Sequence, residues 1–322
     1  MDEMEDKMRI GIDMGGMSVK FGLVDENNRI TDKKVIPTRL DVPAEEFIKD
    51  MADAVTALLQ ENKLKLEACG GIGIGSPGTI DYENGVILYS NNFGWENVPI
   101  AALLKQALGE VKIGIANDAD AAALGEVCAG AAAGAKNAVL LTLGTGVGGG
   151  VILNKEIFHG ALAGGCELGH TVIVQGGEAC TCGRKGCLEA YASASALLRM
   201  ARKKALEHPE SLLHTMSGGD PEKMNGKIPF DAAAKGDAAA QEVVTEYETY
   251  LACGITNIIN TFRPEKIILG GGVAAQKENL TKPLQNMVNQ LCFGGEHGGI
   301  AQIVVSELGN DAGIIGAANL VV

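Results

Sequence analysis

One element occurs twice in this chain and constrains its fold more than any other: an apolar strand, a glycine turn and a second strand. The first copy is residues 8–13 (MRIGID), a turn at Gly15-Gly16, and residues 18–25 (SVKFGLVD). The second is residues 138–143 (AVLLTL), the run Gly144-Thr145-Gly146-Val147-Gly148-Gly149-Gly150, and residues 151–153. Each predicts a β-hairpin closed by a tight glycine turn. The chain therefore reads as two copies of one β-hairpin-plus-βα unit, fused in tandem and diverged beyond visible identity.

The segments around the two copies fit this plan. Residues 29–38 form a third β-rich stretch beside the first hairpin. Residues 43–63 place Phe47, Met51, Val55, Leu58 and Leu59 three or four apart, which predicts an amphipathic helix. Residues 70–75 (GGIGIG) predict a buried strand running into Ser76-Pro77-Gly78. A short helix over 99–108, a strand over 112–116 and a helix over 119–129 follow, with Asp118 or Asp120 as candidate helix cap. Later, 188–208 and 238–262 predict long helices, and 266–269 (KIIL) a strand feeding Gly270-Gly271-Gly272. A helix over 280–291, a strand over 302–306 and a helix over 311–320 complete the chain. The expected organisation is a small lobe over 1–120, joined by the C-terminal helix within 311–322, and a large lobe over 121–310. The hinge is expected near 117–137.

Composition excludes several function classes. With 46% hydrophobic and 21% charged residues the chain is not disordered. No apolar run reaches 18 residues, so no membrane helix is predicted. The acidic start, Met1-Asp2-Glu3-Met4-Glu5-Asp6, lacks the apolar segment of a secretory signal. The formal charge of −13 repels a phosphate backbone, so nucleic acid is not an expected partner. An anionic substrate would need a local exception, such as backbone N–H groups or a metal ion. Glycine, at 44 residues, is about twice its usual ~7% share, and the glycines cluster at strand ends, where close backbone approach is useful.

Three motifs carry chemistry. The sharpest is His170-x9-Cys180-x-Cys182-x4-Cys187. Three thiolates and an imidazole in one compact loop suit tetrahedral zinc, and four protein ligands close the coordination sphere, which makes the metal structural. The second is Asp13-Met14-Gly15-Gly16-Met17-Ser18-x-Lys20. Its glycines let backbone N–H groups approach a phosphate, Asp13 is placed to hold magnesium, and Ser18 and Lys20 add donors. Its echo at Gly144, Thr145, Gly146, Gly148 and Gly149 strengthens that reading, and Gly271 and Gly272 join the candidate nucleotide-binding set. The third is Asn117-Asp118 at a strand end, where a carboxylate is placed to take a proton from a hydroxyl nucleophile.

Four motifs together resemble the ROK family (repressors, open reading frames, sugar kinases), and within it the bacterial glucokinases. They are Asp13-x-Gly15-Gly16; Gly75-Ser76-Pro77-Gly78; Leu143-Gly144-Thr145-Gly146-x-Gly148-Gly149-Gly150; and Glu167-x-Gly169-His170 with Cys180-x-Cys182-Gly183-x-x-Gly186-Cys187-x-Glu189. The resemblance covers about residues 8–322. It implies an α/β chain with the duplicated actin-like ATPase (ribonuclease H-like) fold, two lobes around a cleft. It implies ATP-dependent phosphorylation of a hexose, glucose foremost, at the 6-hydroxyl by in-line transfer. It makes Asp118 the catalytic base and places Gly75, Asn92, Asn117, Glu167, His170 and Glu189 with Asp118 on the sugar. His170 then serves both metal and sugar. ATP, Mg2+ and a structural Zn2+ are the implied cofactors, a homo-oligomer (dimer or tetramer) the implied assembly, and the cytoplasm the implied compartment. Fructose, N-acetylmannosamine and N-acetylglucosamine kinases share these motifs. So do sugar-binding transcriptional regulators, whose winged-helix domain would precede the first glycine turn; here about seven residues precede the first strand, which leaves a regulator as the lesser expectation. One position departs from the family: the residue after Gly15-Gly16 is usually Thr and is Met17 here, which removes a hydroxyl donor. Cys69, Cys128, Cys166, Cys253 and Cys292 fit no ligand pattern and read as buried or free thiols in a reducing compartment.

Overall fold

The computed structural model describes residues 8–322; the acidic start discussed above lies outside the described residues. The strands are β1 (Arg9–Met14), β2 (Ser18–Val24), β3 (Ile30–Pro37), β4 (Ile72–Ser76), β5 (Thr79–Asp81), β6 (Val86–Ser90), β7 (Trp95–Val98), β8 (Ile113–Asn117), β9 (Ala138–Leu143), β10 (Val147–Leu153), β11 (Glu156–Ile157), β12 (Lys266–Gly270) and β13 (Gln302–Val305). The helices are α1 (Ala44–Glu61), α2 (Ile100–Leu108), α3 (Asp118–Ala129), α4 (Glu189–Ala192), α5 (Ala194–Glu207), α6 (Leu212–Met216), α7 (Ile228–Ala234), α8 (Ala238–Phe262), α9 (Glu278–Leu291), α10 (Gly295–Gly298) and α11 (Ala312–Ala318).

The duplication is visible as strand order. One five-stranded sheet runs β3-β2-β1-β4-β8 and the other β11-β10-β9-β12-β13, the same order in chain sequence. In the first, β1–β2 and β2–β3 are antiparallel, while β1–β4 and β4–β8 are parallel. In the second, β10–β11 is antiparallel and β12–β13 parallel. A small antiparallel sheet, β5-β6-β7, was not predicted from the sequence. The described chain divides into two compact units: residues up to 140 with 150–166 and 307–322, and residues 141–149 with 167–306.

In the first unit the core is built from Ile10, Ile12, Phe21, Leu23, Ile72 and Ile74 against the apolar face of α1, where Phe47, Met51, Val55 and Leu58 are fully buried. That face is the one the sequence periodicity predicts. On the other side of the sheet, α11 lies against β1 and β4 and also against α3. The approach is close enough that a Cβ on Gly73 would collide with the carbonyl of Ala317, and one on Gly316 with the carbonyl of Ala121. Glu126, fully buried at the end of α3, accepts hydrogen bonds from the backbone N–H groups of Ala131 (2.8 Å), Glu307 (3.2 Å) and Leu308 (2.9 Å). These donors satisfy the buried carboxylate and fix the segment that leads into α11.

Two sequence expectations are corrected. The predicted helix over 188–208 is two helices, α4 and α5, separated at Ser193. Ser193 is extended (φ −76°, ψ 164°), and its hydroxyl accepts from the Ala196 N–H, which starts α5 afresh. The helix after β8 is capped by Asn117, whose Oδ1 accepts from the Ala119 N–H at 2.9 Å, and not by Asp118 or Asp120. Asp120 instead lies buried at 1% exposure and accepts from the Tyr82 hydroxyl at 3.2 Å.

Candidate functional site

In the first unit the candidate residues gather at the C-terminal ends of the parallel strands β1, β4 and β8, where ligands of open α/β sheets bind. Asp118 is the first residue of α3 and immediately follows β8. It is half-buried, and its Oδ1 shares the Ala119 N–H with Asn117, at 2.9 Å. Gly75 pairs with Ala116 next door and makes room for the helix start: a Cβ there would stand 3.0 Å from the Ala121 Cβ and 3.8 Å from the Asp118 Cα. Gly78, at φ 121°, offers its carbonyl to the Asn117 side-chain amide at 3.3 Å. The Ser76-Pro77-Gly78 bend therefore orients Asn117.

The glycine turn between β1 and β2 is closed by the Gly15 N–H on the Ser18 carbonyl at 3.0 Å. Thr38, just past β3, braces it from outside: its hydroxyl donates to the Gly15 carbonyl (2.6 Å) and its N–H to the Met17 carbonyl (3.1 Å). Met17 is 91% exposed at the tip. Asp13 and Lys20 face each other across the hairpin and form an ion pair of 3.0 Å. Both residues that the sequence offers to phosphate and magnesium thus engage each other in this structure. Asn92, on the exposed turn between β6 and β7, brings its side-chain amide within 4.0 Å of the position a Gly16 Cβ would take. Trp95 is core, stacked at 4.9 Å on Phe93 and edge-on to Phe47.

In the second unit His170, Cys180, Cys182 and Cys187 bring one donor atom each within 4.8 Å of one another. The Cys180 Sγ lies 3.5 Å from the His170 Nδ1, and the Cys182 and Cys187 sulfurs are 3.7 Å apart. Gly186, at φ 84°, lets the chain double back with its hydrogen against the Val174 carbonyl, where no Cβ fits. Burial and the neighbouring thiols push the Cys187 thiol up to about 12, while the Arg184 backbone N–H pulls the Cys182 thiol down. Thiols packed this tightly gain most from a cation that ionises them, and the donor set of three sulfurs and one nitrogen fits a closed tetrahedral metal site. Glu167 is exposed just before His170, and its carbonyl accepts the His170 N–H at 3.1 Å.

The second glycine turn is in the same unit. The Gly144 N–H closes on the Gly146 carbonyl at 3.0 Å. Gly271, at φ 81°, sits against the Leu143 backbone at the base of that turn, and Gly272 beside it faces open space. Gly149 packs on Leu168, with no more than 2.8 Å available for a Cβ.

A model of the ROK family matches residues 9–322. The chain belongs to the ROK family. A glucokinase of Halalkalibacterium halodurans is 38% identical over 319 residues, which is 99% of this chain and 96% of that protein. A ROK glucokinase from Streptomyces griseus, solved with glucose and AMPPNP, superposes with a TM-score of 0.77 at 32% identity, covering 97% of this chain and 98% of that one. A xylose repressor of Caldicellulosiruptor bescii is 28% identical over 313 residues, 97% of this chain but 77% of the repressor. The two sheets of equal strand order are the duplicated halves of the actin-like ATPase fold to which ROK sugar kinases belong.

Within this ROK chain, motif reading found the glycine turns, the strand-end Asp and the Cys/His loop, because each has fixed spacing. It missed the residues that brace them. Thr38, Thr181 and Ser195 act by single hydroxyl contacts to the turns or to Glu189, and no spacing rule marks them. Tyr82, which secures Asp120, lies in the turn between β5 and β6 of the unpredicted small sheet. Among the described residues none of the eight cysteines is in a disulfide, the five outside the loop included. No described helix is long and apolar enough to cross a membrane.

Proposed function

We propose that this ROK protein is an ATP-dependent sugar kinase whose substrate is glucose and whose product is phosphorylated at the 6-hydroxyl. The observation that carries the reading is the placement of Asp118: a half-buried carboxylate at the C-terminal end of the parallel strand β8, on a first helical turn, oriented beside Asn117 and Gly75. In this reading Asp118 accepts the proton of the attacking sugar hydroxyl as the oxygen–phosphorus bond forms in line with the departing ADP. Asn117 and Asn92 bind neighbouring hydroxyls. Glu167, His170 and Glu189 are the sugar-facing residues of the second unit. The glycine turns at 15–16 and 144–149 present backbone N–H groups to the phosphates of Mg-ATP, with Gly271 and Gly272 beside the second. Bound with the nucleotide, magnesium would offset phosphate charge that a chain of −13 would otherwise repel.

His170, Cys180, Cys182 and Cys187 would hold one zinc ion, which supplies rigidity and, with all four positions filled by protein, no open site for water. His170 would bind it through Nδ1, the nitrogen that faces the thiols. That fixes the tautomer of the ring and leaves Nε2 for the sugar. The relatives at 30–38% identity are glucokinases, which supports glucose over other hexoses.

The test is steady-state ADP release from the purified protein with Mg-ATP and glucose, mannose, fructose, N-acetylglucosamine or N-acetylmannosamine. Glucose is expected to give the highest kcat/KM. Absence of any sugar-dependent ADP release ends the proposal. Asp118→Asn is expected to lower kcat by about 1,000-fold while glucose still binds, because an amide keeps the shape but takes no proton.

A further inference from the structure

We infer that Glu189 is a positioning residue that ties the His170/Cys180/Cys182/Cys187 loop to the second glycine turn, so that the integrity of the loop sets nucleotide affinity as well as the sugar site. The inference rests on the reading of residues 144–149 as a phosphate turn.

Both oxygens of the Glu189 carboxylate are engaged. Oε2 accepts the backbone N–H of Val147, the residue at which the glycine turn re-enters β10, at 3.1 Å. Oε1 accepts the Thr181 hydroxyl at 3.0 Å and lies 3.5 Å from the Cys180 sulfur. One carboxylate therefore spans from the turn to the two residues at the tip of the cysteine loop. Gly146 is shaped around it: a Cβ there would run into the Glu189 Oε2.

The following residues complete the attachment. The Ala194 N–H donates to the Gly144 carbonyl at 2.8 Å, and the Ser195 hydroxyl donates to the Thr145 carbonyl at 2.9 Å. Cys187 stands two residues before Glu189, so the segment that ends the cysteine loop is the one that grips the turn. The polarity matters. A phosphate is repelled by carbonyl oxygens and attracted by N–H groups. Tying the Gly144 and Thr145 carbonyls to the 194–195 backbone and hydroxyl turns those oxygens toward protein donors. Glu189 does the complementary work at Val147, where its charge strengthens a single hydrogen bond and fixes the exit of the turn.

The experiment measures AMPPNP affinity with Mg2+ and without sugar, by calorimetry, on metal-replete protein whose zinc content is determined in parallel. Omitting sugar separates this role from any contact between Glu189 and substrate. Glu189→Ala is expected to weaken AMPPNP about 10-fold, and Thr181→Val about 3-fold, each with one zinc retained per chain. Gly146→Ala is expected to weaken AMPPNP about 10-fold in the wild-type background but less than about 2-fold further in Glu189→Ala, because the obstructing carboxylate is gone. A merely structural role for Glu189 would leave the two substitutions additive.

Wild-type affinity in both Glu189→Ala and Thr181→Val overturns the inference and leaves the kinase reading intact. Additivity of Gly146→Ala and Glu189→Ala overturns it as well. Failure of the wild-type protein to bind AMPPNP at all overturns the reading of the turn, and the inference with it. If Glu189→Ala does not fold, Thr181→Val decides: zinc-replete protein with unchanged affinity rejects the coupling.

Discussion

The two glycine turns share a local plan but are anchored in different ways. The first is a hairpin closed on itself, stiffened by one ion pair, Asp13–Lys20, and braced by one residue, Thr38. The second is gripped from outside by a segment 42 to 50 residues further on, through Glu189, Ala194 and Ser195. The difference follows from the sequence around each copy. Beside the first turn, a third strand returns immediately and delivers Thr38 at short range. After the second, β11 is only two residues long, and the turn is held by the segment that follows the cysteine loop. A duplicated fold can keep its backbone geometry while the stabilising contacts move from local to distant residues.

Four measurements sharpen or break that contrast. The largest effect is expected from Cys187→Ser, which replaces a fully buried thiol of the proposed metal site. Bound metal should drop below one per chain, and kcat/KM for glucose should drop about 100-fold or more. Retention of both metal and activity would mean that the second turn stands without its outside support. Next are Gly16→Ala and Gly144→Ala. Neither glycine has a positive φ, and both face space that admits a Cβ. The unfolding midpoint of each variant should stay near wild type while KM for ATP rises about 10-fold, the signature of a backbone that a phosphate must approach closely. An unchanged KM at either position would remove that turn from the nucleotide site.

A smaller effect is expected from Thr38→Val. It deletes one hydroxyl contact, whose net worth is about 1 kcal/mol, so KM for ATP should rise about 5-fold or less. An effect as large as that of Cys187→Ser would erase the distinction between local and distant bracing. The smallest is Met17→Thr, which restores the hydroxyl usual in the family at an exposed tip. It should lower KM for ATP about 2-fold and leave stability unchanged, since Met17 packs on little.

The sequence disclosed the parts of this molecule that repeat or that need rare residue types. Both strand–turn–strand copies, the amphipathic α1 and the long α8 fall where periodicity places them, because each buries a regular apolar face. The Cys/His loop was legible because thiols spaced for one ion have few other uses. Other features hinge on single polar contacts that leave no pattern. The break at Ser193 is signalled only by a cap-forming residue inside an otherwise helical run. The cap of α3 fell to Asn117 and not to Asp118 or Asp120, and Asp120 is held instead by the Tyr82 hydroxyl from the short β5–β6 hairpin, a contact that no spacing marks. Likewise the Asp13–Lys20 pair follows from hairpin register, Asp13 opposite Lys20, and register became fixed only once the turn length was known.

The placement of α11 has a consequence for biosynthesis. Residues 312–318 follow β1 by about 300 residues in the chain, yet they fill the layer between the first sheet and α3. Until they arrive, the N-terminal strands and α3 expose the glycine-lined groove meant to receive them. Early-made segments of the first unit must therefore wait, incompletely buried, until α11 has been synthesised, and a nascent chain stalled before residue 312 would expose that groove to chaperones and proteases.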